Sequence, residues 1–144
     1  MGFLDFDYNM DDERRAEILK DNFSPAYNKG RAINRFEYIS LDQLRTLIDE
    51  KFADPRMRQN FAPSIQELVD FATKNEKYLK CMFDGYIVGA MREDYRVSID
   101  TIHIAPKANL SNYALKVMET QALNLGKKAD SKIFNGNEWT LCWN

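Results

Sequence analysis

Histidine is almost missing from this chain, which has one, His103, and cysteine is scarce, with Cys81 and Cys142 lying far apart in sequence. Structural zinc is held by closely spaced Cys and His ligands, and there is no C-x-x-C pair here, so no metal site is expected. Each cysteine sits among strand-forming residues, in KYLKCMF and WTLCWN, where a reduced, buried thiol is expected. Long apolar runs are absent too: none approaches the ~20 residues of a membrane span. The N-terminus lacks the basic start and apolar middle of a signal peptide, so a cytoplasmic protein with no membrane partner is expected. Charge of one sign is also lacking. A formal charge of -2 offers no general attraction to nucleic acid. The basic pairs Arg14-Arg15, Arg56-x-Arg58 and Lys127-Lys128 are scattered, with no glycine-aromatic signature beside them, so nucleic acid is not an expected partner.

What is present is the material of one soluble domain: 144 residues, 44% hydrophobic and 29% charged. Residues 1–34 read as an N-terminal arm and residues 35–144 as the main domain. In the arm, Asp11 to Lys20 form one short helix, acidic at its start and basic at its end, which Ser24-Pro25 and Lys29-Gly30 break. The preceding Phe3, Leu4, Phe6 and Tyr8 alternate with Asp5 and Asp7 as an edge strand or as an apolar anchor laid on a partner. Asp5-x-Asp7-x-Asn9 resembles the first ligands of an EF-hand loop. The match fails where the turn glycine is Met10 and where the twelfth position is Ala16.

From Arg35 the periodicity becomes regular. Phe36 to Ile39 is a short strand, and Ser40 caps a helix with Leu41, Leu44, Leu47, Ile48 and Phe52 on one face. Ser64 and Glu67 have capping-box spacing ahead of Ile65, Leu68, Val69, Phe71 and Ala72. Tyr78–Phe83, the turn pair Asp84-Gly85 and Tyr86–Met91 predict a hairpin, and Arg96–Ile104 extends it to an antiparallel meander. Leu110–Leu125 is predicted as a helix closed by Gly126, and Lys132–Phe134 with Trp139–Trp143 as a final strand pair. Trp139 and Trp143 share one face, as a lid on the core or as a contact surface for another protein.

The order strand, helix, helix, antiparallel strands, helix, strand resembles the GNAT N-acetyltransferase superfamily over about residues 35 to 134. The phrases SIQELVDFATKNEKYLKCMFDGYIVGAM, IDTIHIAP and ALKVMETQALNLGKKADSKIF are similar to the family's second helix, fourth strand and following helix. The resemblance implies an α/β (α+β) fold, GNAT-like, with a mixed, mostly antiparallel sheet flanked by helices. It also implies an acetyl-CoA site: pantetheine paired along Ile102 and Ile104, and pyrophosphate held at Lys107, Asn109, Ser111 and Asn112. The family's loop, Arg/Gln-x-x-Gly-x-Gly/Ala, lets glycine backbone approach the phosphates at a helix N-terminus. In this chain those glycines are replaced. Counting from Lys107, Leu110 and Asn112 fill the glycine positions; counting from Asn109, Asn112 does and Ala114 conforms. Nor does the segment after Gly126 have room for the family's last helix.

By the same resemblance, Tyr113, Asp100 and His103 are the catalytic candidates, as proton donor or base. Each also has a plain alternative: Tyr113 packing by its ring, Asp100 facing outward, His103 half-buried with a hydrogen bond. Strict alternation along the strand puts Asp100 with Ile102 and Ile104, opposite Thr101 and His103, so the three need not converge. Two functions follow. One is a non-catalytic GNAT-like protein that works by binding a protein partner or by self-assembly, its compactness and divergence suggesting a viral or mobile-element product. The other is an acetyl-CoA-dependent N-acyltransferase. The expected cofactor is accordingly none or acetyl-CoA.

Overall fold

The computed structural model describes residues 6–108 and 111–144. They form four helices, α1 (Asp12–Leu19), α2 (Leu41–Asp49), α3 (Ile65–Asn75) and α4 (Asn112–Leu125). Five strands, β1 (Ile33–Ser40), β2 (Leu79–Val88), β3 (Arg96–Pro106), β4 (Ser131–Phe134) and β5 (Trp139–Cys142), make one sheet in the order β1-β2-β3-β5-β4. Every neighbouring pair is antiparallel, an α+β arrangement.

The helix starts follow from short polar side chains that satisfy orphan backbone N–H groups. Ser40 and Gln43 form a reciprocal capping box on α2, Ser64 and Glu67 one on α3, and the Ser111 hydroxyl accepts from the amide of Ala114 on α4. The apolar stripes of these helices meet Phe36, Ile39, Phe83, Ile87, Ile102, Ile104 and Leu141 in a single core. Burying each such side chain contributes about 1.5–3 kcal/mol. Trp143 is fully buried there and Trp139 packs against the same core, so the pair closes it. Among the described residues, no helix is long and apolar enough to cross a membrane.

The expected boundary between residues 34 and 35 falls inside β1, and the preceding segment is docked on the rest of the molecule. Leu19 belongs to the core. Arg15 is buried with its guanidinium 4.1 Å from the Tyr95 ring centroid, donating to the carbonyls of Val88 (3.0 Å) and Arg96 (3.3 Å). Arg15 thus ties α1 to the ends of β2 and β3, with burial lowering its pKa from the ordinary arginine value.

Two expectations need correction. Asp84-Gly85 is no hairpin turn: β2 runs unbroken through it, and the reversal to β3 comes after Val88. Gly85 is required by proximity, because a Cβ there would lie 1.8 Å from the carbonyl oxygen of Ser98 on β3. The alternation along β3 is not strict either. Asp84 pairs with Thr101 while Gly85 pairs with Ile99, which leaves Asp100 as the extra residue of a β-bulge. The inserted residue changes the parity, so Asp100 joins Thr101 and His103 on the face turned from the core.

Candidate functional site

A second irregularity lies opposite the first. On β1, Phe36 pairs with Gly85 and Ile39 with Phe83, so Glu37 and Tyr38 together oppose Asp84. Tyr38 takes φ 56°, a left-handed conformation that is strained for a bulky residue. The bulge is held from both ends: Asn22 Nδ2 donates to the carbonyls of Glu37 and Tyr38, and the Tyr38 amide donates to Asp84 Oδ1 at 2.8 Å. Asp84, on the strand between, therefore sits at the height of both bulges. These distortions gather polar side chains from β1, β2, β3 and β5 on the sheet face opposite the core.

His103 is the centre of that gathering. Its Nε2 lies 2.8 Å from Asp84 Oδ2, while its Nδ1 lies 3.1 Å from Thr140 Oγ1 and 3.3 Å from Glu138 Oε2. The Tyr38 ring stacks on the imidazole at 3.9 Å and 11°, and its hydroxyl donates to Glu138 Oε2 at 2.9 Å. Burial and the bond to Glu138 push that hydroxyl up to about 12. Neutral His103 can donate from Nε2 to Asp84 and take the Thr140 hydroxyl at Nδ1; the imidazolium can donate to Asp84 and Glu138 together. Beside it Arg35 grips Asp100 through two bonds of 2.9 and 3.2 Å, which raises its pKa further, and stands 3.9 Å from Asp84. The Thr101 hydroxyl donates to Asp100 at 2.8 Å and lies 3.4 Å from Cys142 Sγ.

Chemically the cluster has the parts of a carboxylate–imidazole–hydroxyl series, Asp84–His103–Thr140. Both ring nitrogens are already partnered within the protein, however, and Tyr38 covers the ring, so His103 has no nitrogen presented to an incoming molecule. The arrangement ties four strands together on the outer face of the sheet. Sequence reading names His103 and Asp100 but misses Arg35, Tyr38, Asp84, Glu138 and Thr140. The available signal is an aspartate in a strand-forming run, masked because Asp-Gly is also a strongly favoured hairpin pair.

The other sequence candidates lie elsewhere. Tyr113 stands at the start of α4 with 80% of its surface exposed. Ile102 and Ile104 are fully buried in the core. Their backbone is paired on both sides, with Phe83 and Cys81 of β2 and with Leu141 and Trp139 of β5. Pantetheine pairing would need one of those edges open. The strand after α4 is also not beside β3, because β5 lies between β3 and β4. Lys107 is exposed just beyond β3, with its amide donating to Tyr78 O, and it borders a shallow cavity of about 280 Å³ shared with Lys80 and Cys81. Ser111 caps α4 and Asn112 is its exposed first residue; Asn109 lies outside the described residues. In the arm, Asn9 bonds its own turn and Glu50 O, while Asp5 lies outside the described residues.

No family model matches this chain, and no curated protein or solved structure matches it either.

Proposed function

We propose that the protein is a non-catalytic binding protein that takes an extended segment of a protein partner onto the open edge of its sheet at β4. The observation that carries this reading is the character of that edge. β4 pairs with β5 on one side only, and its Ile133 and Phe134 remain 57% and 46% exposed. An unpaired strand edge offers a row of backbone donors and acceptors, and nearby apolar side chains give such pairing its specificity. Lys132 lies on it and Lys127 and Lys128 precede it, which disfavours pairing with a second identical edge and favours an acidic, apolar-rich strand. The buried His103 cluster stiffens the same β3–β5 region, since Glu138 and Thr140 anchor β5 to β1 and β3.

A fluorescently labelled peptide of alternating valine and glutamate tests this by anisotropy. Binding in the micromolar range, weakened roughly tenfold by Ile133→Ser and by raised salt, is expected. Equal binding of a valine–lysine peptide, or a stable dimer in sedimentation that an Ile133→Lys change dissolves, would replace the partner strand with another occupant.

The acyltransferase reading keeps one specific support, the two lysines Lys80 and Lys107 on a cavity at the end of β3, where polyphosphate would find cations. Against it, the backbone of β3 at Ile102 and Ile104 is paired on both sides and leaves pantetheine no edge to join. Calorimetric titration with acetyl-CoA decides the matter: heat at millimolar cofactor that Lys107→Ala abolishes would restore this reading.

A further inference from the structure

A large cavity lies away from both the His103 cluster and β4. It has a volume of about 790 Å³, within the range of small-molecule sites. Three segments wall it: the N-terminal stretch at Phe6, Tyr8 and Met10, the α2–α3 loop at Met57 to Asn60, and the β2–β3 connection with the start of β3. The aromatic rings touch one another, Phe6 and Tyr8 edge to face at 4.6 Å and Tyr8 and Tyr95 at 5.8 Å, so they form a continuous apolar wall.

The polar groups on that wall are mostly donors. The Tyr8 hydroxyl is shut off from solvent yet finds no hydrogen-bond partner among the described residues. An orphaned buried hydroxyl is an uncommon feature, and a ligand acceptor would relieve it once the ring turns toward the cavity, a side-chain shift common on binding. Burial, reinforced by Asp54, pushes it up to about 12, so it is a donor at neutral pH. Gln59 Oε1 is taken by the hydroxyls of Tyr86 and Ser98, which leaves its amide N–H groups to donate. Arg58, Arg92 and Arg96 border the cavity. Asp94 is held by Arg92 and Arg96, and Arg58 pairs with Glu67 at 3.1 Å; Asp7 and Glu93, like Arg58 and Arg92, are exposed to solvent, where charge is screened.

We propose that this cavity is a binding site for a planar aromatic carboxylate, with its ring against Phe6, Tyr8 and Tyr95 and its carboxylate meeting the Tyr8 hydroxyl, the Gln59 amide and an arginine. Arginine's planar fork matches a carboxylate, and aromatic walls favour a flat ring over an aliphatic chain. The site is independent of strand capture at β4, and its failure would leave that reading untouched.

The probe is 2-naphthoate, titrated into the isotopically labelled protein and followed by backbone amide NMR. Saturable shifts at residues 57–60 and 92–98, with a Kd below about 1 mM, are expected. Tyr8→Phe deletes only a hydroxyl that has no protein partner among the described residues, so it should weaken naphthoate at least roughly fivefold while leaving the melting temperature unchanged or raised. Arg58→Gln, on an exposed loop, provides a second variant and should also weaken it. Equal binding of 2-naphthamide or of a naphthyl amine would overturn the carboxylate assignment. Shifts elsewhere, or none at millimolar ligand, would overturn the site.

Discussion

Removing the Asp84 carboxylate should unfasten the outer face of the sheet, and Asp84→Ala tests this most directly. The side chain is almost completely buried and accepts from the Tyr38 amide and from His103, both at 2.8 Å. Its loss leaves the strained Tyr38 amide and one imidazole nitrogen unpaired, and each buried orphan costs about 1–3 kcal/mol. Arg35 keeps Asp100, so that ion pair should survive. A loss of about 3–5 kcal/mol is expected, which for a chain of this length lowers the melting temperature by about 10 °C or more. Asp84→Asn should be milder, about 1–2 kcal/mol, since its carbonyl oxygen still takes the Tyr38 amide. Urea unfolding followed by tryptophan fluorescence reads the change, with Trp143 buried and Trp139 packed on the core as reporters. A double-mutant cycle with His103→Ala should give a coupling above about 1 kcal/mol. An Asp84→Ala loss below about 1 kcal/mol, or no coupling to His103, would refute the reasoning.

Other consequences follow from the same geometry. Gly85→Ala should cost about 3 kcal/mol or more, because the new Cβ meets the backbone carbonyl of Ser98 at 1.8 Å; Gly136→Ala, with φ +97° but open space around it, should cost only about 1 kcal/mol by thermal melts. Burial pushes the Cys81 thiol up to about 12 from 9.0. With the folded pKa above the unfolded one, its contribution is complete below about pH 9 and disappears as pH climbs toward 12. Titration with a thiol-specific chromophore should therefore label half-buried Cys142 in the native protein and Cys81 only on unfolding; prompt reaction of Cys81 at neutral pH would contradict this placement.

Much of the fold was legible because its causes are local. Ser64 and Glu67 announce α3, and the leucine spacing from Leu41 onward marks α2. Gly126 ends α4 where the chain must turn close to Leu141. The catalytic candidates were only half legible. His103 was visible as the lone histidine in an apolar strand, but its partners come from three other strands and their connections, at sequence distances that periodicity does not encode.

Sequence alone determined the presence of the helices, the Ser40 and Ser64 caps and most apolar positions, since each depends on a residue's own backbone preference or on neighbours within a turn or two. Tertiary structure decided what Asp84-Gly85 means. The same dipeptide that makes a tight turn in isolation lies within a ten-residue strand here, because the two neighbouring strands bulge around it and β3 approaches too closely for any side chain at Gly85. Those bulges turned Asp100 toward His103, and the insertion of β5 beside β3 sealed the backbone of Ile102 and Ile104. Strand order and bulge placement are set by the summed packing of distant segments, a quantity that no local window of sequence contains.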